Sequence, residues 1–388
     1  MLFIKQAVLC LISPLHLPRK FATWWILKNH ILKRVGEIYK RTSMKDLLKI
    51  RIKALLLIAI FLLSVVGGLS AKKIAIIDAG SSGSRFYVYD INDNTKALTT
   101  LYPIGDKVDA SKGVALSCIN NCQKCVDSFL TTMTCKYSNP DKSEGPIDLY
   151  VLATAGMRSV KEGNAASIYG KMSNTTLVEY KLKRAMTISG QYEGLYAWIA
   201  ANYKNEKLIW DSGKSSWSLT NPFGILEIGG ASMQIAFNTS TKQSGHPHFG
   251  SVYSVSYLGG GVDQVFEDNK HMKKEKFGVN LDNTLKDKIG LTTQFARLGR
   301  PVNNAIDGAK DDSEEALTKY ASDIVNPDTE SNFHPKMNAE YIAYIFKIWG
   351  LDKKTIKASK QSDWTEGAAL DIVINSVQPE EFTYNNPN

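Results

Sequence analysis

Two acids each close an apolar run and stand directly ahead of a turn of small residues. Asp78 does so in IAIIDAGSSGSRFYVYD, residues 74 to 90, and Glu227 in GILEIGGASMQIAF, residues 224 to 237. Successive backbone N–H groups in such a turn point into one concavity, and glycine lets an anion approach with no Cβ in the way. Ser hydroxyls add further donors. Gly80, Ser81, Ser82 and Gly83 in the first copy, and Gly229, Gly230 and Ala231 in the second, therefore suit a phosphate group. Neither copy has the Gly-Lys-Ser/Thr of a Walker A loop. A bare carboxylate beside phosphate would repel it unless a divalent cation sits between, so Asp78 and Glu227 are read as acids that position Mg2+ or Ca2+, through its waters. Either acid alone reads as a turn cap; the repetition favours the shared role.

Attack on phosphorus needs a group that aims water. Glu193 lies just after Gly190 in ISGQYEGLYAWIAANY, at the expected first turn of a helix. A carboxylate there can orient a water or take its proton, although the helix dipole alone also favours an acid at that place.

The elements that must carry these groups alternate strand and helix after Ala71. Residues 74–77 and 86–89 read as a hairpin with a buried first strand, 147–153 as a third strand, and a helix is expected from Ser189 with Tyr192, Leu195, Tyr196, Ile199 and Tyr203 at helical spacing. Residues 205–221 look like a connection, after which the hairpin theme returns. A strand at 252–258 ends in Gly259, Gly260 and Gly261, a turn able to approach a ligand closely. Residues 270–288 read as a charged solvated helix, 299–332 as polar and loop-rich, and 339–349 and 364–377 as two closing helices. The repeated hairpin suggests two similar lobes facing one cleft.

The net charge of +9 is a property of the leader. Residues 1 to 53 hold 12 Lys or Arg against 2 acids, and the rest is balanced at 35 against 36. A near-neutral body carries no sign of the basic surplus that a nucleic acid demands. From Met44 a basic stretch, an apolar run from Ala54 to Val66 and small residues to Ala71 have the layout of a secretory signal, short for an uncleaved anchor. Met44 is the expected start, with residues 1–43 an over-extended or leader segment. In an oxidising compartment Cys118, Cys122, Cys125 and Cys135 read as two disulfides of unassigned pairing, with zinc at Cys122 and Cys125 as the alternative.

The strings DAGSSGSR, ATAGMR, ISGQYEGLYAWIAANY, ILEIGGASMQIAF and DWTEGAAL occur in the order of the five signature regions of the apyrase family, the nucleoside triphosphate diphosphohydrolases, and VYSVSYLGGGVDQ also resembles a segment of that family. The resemblance spans Ile74 to about Val377. It implies an α/β fold of the two-lobed, actin-like ATPase (RNase H-like) type with the site in the interlobe cleft: lobe I from 72–204 plus 360–388, lobe II from 205–359. It implies an enzyme that removes terminal phosphates from nucleoside tri- and diphosphates with Mg2+ or Ca2+ and no phosphoenzyme, and the signal layout adds export to a secreted, periplasmic or secretory-pathway luminal location. By motif position Glu193 corresponds to the catalytic base, Ser232 and Gln234 to residues that position the water, and Asp78 and Glu227 to the acids that hold the metal's waters. Ser81, Ser82, Gly83, Thr154, Ala155, Gly230 and Ala231 correspond to phosphate contacts. The expected partners are ATP, ADP, GTP, GDP and UDP, with no nucleic acid, the membrane touched only through the signal or an uncleaved anchor, and the chain a monomer.

Two departures stand out. Glu227 replaces the family's usual Asp, one methylene shorter, and Gly83-Ser84-Arg85 replaces the His-Thr of many cell-surface members, which resembles the soluble branch with its diphosphate preference. Tyr257, Phe295 and Tyr320 are aromatics that could stack on a base, but none is assigned, and Trp364 is expected to anchor the last helix. The competing readings are an exopolyphosphatase-like phosphohydrolase and a nucleotide-binding module with little catalysis.

Overall fold

A computed structural model describes residues 71–103, 112–269 and, with short gaps, 277–381. Residues 1–70, which hold the leader and nearly all of the expected signal, and most of the charged stretch 270–288 lie outside the described residues.

The first sheet begins with β1 (Ala71–Gly80) and β2 (Gly83–Asn92), an antiparallel hairpin in which Gly80 faces Gly83 and Asp78 faces Arg85. It continues with β3 (Leu98–Tyr102), the short β4 (Lys112–Gly113), β5 (Ile147–Ala153) and β6 (Tyr180–Thr187). The order across it is β3-β2-β1-β5-β6, with β5 and β6 parallel to β1. Side chains alternate across a strand. Ile74 and Ile76 enter one core, while Ala75, Ile77 and Ala79 enter another with the helices α1 (Gln123–Thr134) and α3 (Glu162–Ser173), the short α2 (Ala155–Arg158) coming between them in the chain. Burial on both faces is why β1 reads as a continuous apolar run.

Then comes α4 (Gly190–Lys204), the expected helix. Residues 205–221 are more than a connection: β7 (Leu208–Asp211) and β8 (Ser216–Leu219) form a hairpin held by Trp210 against Trp217, ring centroids 5.3 Å apart. Four-residue strands show too little alternation to stand out from their polar flanks.

The second sheet contains β9 (Gly224–Ile228), β10 (Ser232–Asn238), β11 (Val252–Leu258), β12 (Gln294–Leu298) and β13 (Thr355–Ala358). Its order is β11-β10-β9-β12-β13, the first three antiparallel and the last two parallel to β9. This repeats the first sheet strand for strand, with β1 and β9, which bear the two acids, in the central place. The helices α5 (Val262–Asn269), α6 (Leu285–Ile289), α7 (Arg300–Ala309), α8 (Glu314–Asp323) and α9 (Glu330–Trp349) accompany it. The segment expected to be loop-rich, 299–332, is largely helical among its described residues. Pro301 in the first turn of α7, and Ser313 capping α8 ahead of Glu314 and Glu315, are the start signals that mark it.

The last helix, α10 (Trp364–Leu370), continues into one wide π turn, Asp371–Asn375, which ends at Ser376 with φ 55°. Together with α4 it fills a core that also takes Ile74 and Ile76 from the first sheet and Ile225, Ala236 and Ala296 from the second. Enclosed on all sides, α4 is buried continuously from Gly190 to Asn202, so its apolar residues do not confine themselves to one stripe. Trp364 stacks against Tyr196, centroids 6.4 Å apart, and anchors α10 as expected.

The expectation of two disulfides is corrected to one bridge among the described residues, Cys122 to Cys125, with Cys118 and Cys135 free and exposed. Cys122 is the extended N-cap of α1, which lets it reach Cys125 without both lying on helical backbone. Cys135 stands at the far end of this 12-residue helix, about 18 Å away at 1.5 Å per residue.

Candidate active site

The hairpin geometry places Asp78 at the end of β1, buried, with Arg85 Nη1 donating to its Oδ2 at 3.3 Å. Oδ1 has no hydrogen-bond partner among the described residues. The turn Gly80–Gly83 follows, with Ser81 half-buried and Ser82 exposed. Two other loops close on Ser81. A Cβ on Gly156, just after Thr154 and Ala155, would lie 2.8 Å from Ser81 Cα, and one on Gly230 would lie 3.4 Å from Ser81 Oγ. All three expected phosphate loops therefore meet around one serine, and glycine is what permits the approach.

The Gly229–Ala231 turn is held from behind by the first turn of α5. Val262 N–H donates to Gly229 O at 3.0 Å and Asp263 N–H to Gly230 O at 2.9 Å. Gly261 lies so close that a Cβ there would be 2.3 Å from the carbonyl carbon of Gly230. The triple-glycine turn thus approaches this loop.

Glu193 in the first turn of α4 is buried and ion-paired to Arg158 Nη2. Gln234 Nε2 lies 3.1 Å from Glu193 Oε2, 2.8 Å from Ser232 Oγ and 3.1 Å from Ser256 Oγ, its two protons shared among the three acceptors. The three residues expected to handle water, Glu193, Ser232 and Gln234, are thus one hydrogen-bonded group. Gln234 faces Glu227 across β9 and β10, as Arg85 faces Asp78. Glu227 Oε2 is buried and, like Asp78 Oδ1, has no partner among the described residues.

Burial raises all three acids. Asp78 is raised by burial first and then by Asp363, against the pull of Arg85. For Glu193 burial outweighs the opposing pull of Arg158. Glu227 is raised well above the ordinary range by burial and then by Glu193, Asp363 and Asp78. Desolvation and like charge both disfavour the anion.

Arg158 and Asp363 lie in motifs quoted above without having been given a role, and Ser256 is likewise unassigned. Asp363 caps α10, its Oδ1 accepting from Thr365 N–H at 3.0 Å, and receives the Tyr87 hydroxyl at 2.7 Å. A buried glutamate needs a cation nearby, and the arginine of ATAGMR is one of the cations the sequence offers. Phe295, by contrast, is buried in the second core, against which Tyr257 and Tyr320 pack.

A family model described as the GDA1/CD39 (nucleoside phosphatase) family matches residues 70–290. Among relatives, the nucleoside-triphosphatase ntp-1 of Caenorhabditis elegans is 30% identical over 205 residues, 50% of this chain and 36% of that protein. The ectonucleoside triphosphate diphosphohydrolase 7 of Mus musculus is 27% identical over 280 residues, 57% of this chain and 46% of that protein. The chain thus spans less than half the length of these relatives. Among solved structures, one of nucleoside triphosphate hydrolases from Neospora caninum aligns with a TM-score of 0.55 at 11% identity, over 84% of this chain and 97% of that one, a likeness of fold.

Proposed function

We propose that this chain, which belongs to the GDA1/CD39 (nucleoside phosphatase) family, removes terminal phosphates from nucleoside tri- and diphosphates by directing water at phosphorus. The observation that carries the reading is Glu193: a buried carboxylate with raised proton affinity, one hydrogen bond from Gln234, which holds Ser232 beside the Gly229–Ala231 turn. Its raised affinity suits it to take a proton from water. In the proposed reaction Ser232 and Gln234 orient that water. The N–H groups of Ser81, Ser82, Ala155, Gly230 and Ala231 hold the phosphoryl group, those of Thr154 and Gly229 being bonded to Ala79 O at 3.3 Å and Ser232 O at 3.0 Å, and Glu193 accepts the water's proton as the bond to phosphorus forms.

Asp78 and Glu227 suit a hard divalent cation, because each presents a buried carboxylate oxygen without a partner among the described residues and their donors are all oxygen. Among the described residues no group of three or more His, Cys, Asp or Glu is close enough to grip a metal directly, so the two acids would hold Mg2+ or Ca2+ through its waters. Such an ion, when bound, neutralises charge on the phosphates. Diphosphates are the favoured substrates in this reading, because Gly83-Ser84-Arg85 resembles the soluble branch with its diphosphate preference. The signal-like stretch after Met44 supports an extracytoplasmic location; no helix among the described residues is long and apolar enough to cross a membrane.

Phosphate release from ATP, ADP, GDP, UDP and polyphosphate, with Mg2+ or Ca2+ and with EDTA, tests the proposal. The expected result is cation-dependent release from nucleotides, fastest with GDP or UDP. Faster turnover of polyphosphate than of any nucleotide, or nucleotide binding without release, would overturn it.

A further inference from the structure

We propose that Glu380, on the turn after the last helix and outside all five motifs, is a positioning residue that closes the N-terminus of α4 and so sets the place of Glu193. The proposal rests on the assignment of Glu193 as the base.

The chain leaves the π turn at Ser376 in a left-handed conformation and folds back. Val377 and Pro379 are buried, Gln378 N–H donates to Glu381 Oε2 at 2.8 Å, and Glu381 N–H donates to Gln378 O at 3.1 Å. Between them Glu380 has φ 62°. A residue with a side chain keeps that conformation only where its surroundings fix it.

The surroundings are the start of α4. Ser189 N–H and the Ser189 hydroxyl both donate to the Glu380 carboxylate. The same hydroxyl accepts from Tyr192 N–H at 3.3 Å and is the N-cap of the helix. A hydroxyl has one proton and two lone pairs. Giving the proton to Glu380 turns a lone pair toward Tyr192 N–H, one residue before Glu193. The carboxylate also lies where a helix N-terminus favours negative charge.

From the other side Arg158 Nε donates to Ile188 O at 3.1 Å, and its Nη1 lies 3.2 Å from where a Gly190 Cβ would stand. Its Nη2 pairs with Glu193. Arg158 and Arg184 are the cations that act on Glu380. Residues 188 to 193 are therefore held between an arginine and a glutamate of opposite charge, and the glutamate comes from the far end of the sequence. A base displaced by about 1 Å can lose about a hundredfold in rate.

Glu380→Ala and Glu380→Gln in the full chain test this, with thermal melting as a control for folding. In Glu380→Ala, amide exchange at Ser189 and Tyr192 should quicken at least about tenfold and kcat for GDP should fall about ten- to a hundredfold. KM and the calorimetric affinity for a non-hydrolysable GDP analogue should stay within about twofold. Glu380→Gln, which keeps an acceptor for Ser189, should recover most of both. Unchanged exchange in Glu380→Ala would overturn the contact. Unchanged kcat, or no recovery in Glu380→Gln, would overturn the positioning role. Failure of the base assignment is separate: Glu193→Ala would then keep its turnover, while the exchange response to Glu380→Ala would persist.

Discussion

At the scale of single residues the site is costly to fold. Asp78 Oδ1 and Glu227 Oε2 are buried acceptors without partners among the described residues, and each such group costs about 1–3 kcal/mol. Acids that surround one another add repulsion. Glu227→Gln removes that charge at nearly constant shape. Its melting temperature in EDTA should exceed that of the wild type by the equivalent of about 1 kcal/mol, and the further stabilisation that Mg2+ or Ca2+ gives the wild type should shrink. Melts with and without EDTA decide this; a lower melting temperature in EDTA would contradict a strained acid. The acids and turn glycines were legible in the sequence because each stands beside its partner in the chain. The pair Asp78 and Arg85 follows from the two-residue turn, which fixes the register. The pairing of Arg158 with Glu193, 35 residues apart, depends on how α2 meets α4, and nothing local specifies that.

At the scale of elements, α4 fits between the two sheets because small residues line its contacts. A Cβ on Gly194 would lie 2.4 Å from Ser254 Oγ, and one on Gly367 of α10 only 1.9 Å from Tyr196 O. A backbone oxygen cannot step aside as a side chain can, so Gly367→Ala should destabilise by about 2–3 kcal/mol, read as a fall in the urea midpoint. A loss under about 0.5 kcal/mol would mean that the two helices are not so closely packed.

The same contact carries a pH dependence. Glu366 of α10 receives Lys204 Nζ at 2.9 Å, yet burial pushes its carboxyl up to about 7, against the pull of Lys204, from an ordinary 4.5. The folded chain therefore binds this proton more tightly than the unfolded chain. Its contribution to stability is fully present below about pH 4.5 and is lost as pH rises to about 7, to the extent of about 3 kcal/mol. Glu366→Gln should flatten that part of the stability curve; parallel wild-type and variant curves would contradict it. The helix of α4 was legible from Tyr192, Leu195, Tyr196, Ile199 and Tyr203 at helical spacing, while its burial on every side was not, since periodicity reports which residues are apolar and not how many neighbours cover them.

At the scale of the whole molecule, one five-strand pattern occurs twice, and each copy puts its acid on the central strand at the mouth of a glycine turn. The doubled hairpin was readable because central strands are apolar without interruption. The short hairpin β7–β8, the helices of 299–332 and the pairing of Cys122 with Cys125 were not, because brief strands, helices in polar stretches and cysteine pairing are settled by tertiary contacts. Joining the two copies through one buried helix gives Glu193 a position fixed from both sides. The most direct measurement is kcat for phosphate release from GDP with Mg2+, wild type against Glu193→Ala, on samples whose calorimetric affinity for a non-hydrolysable GDP analogue agrees. Turnover should fall about 10²- to 10⁴-fold with affinity unchanged; a variant that keeps more than about a tenth of wild-type kcat, a loss under about 1.4 kcal/mol, would contradict Glu193 as the group that directs the water.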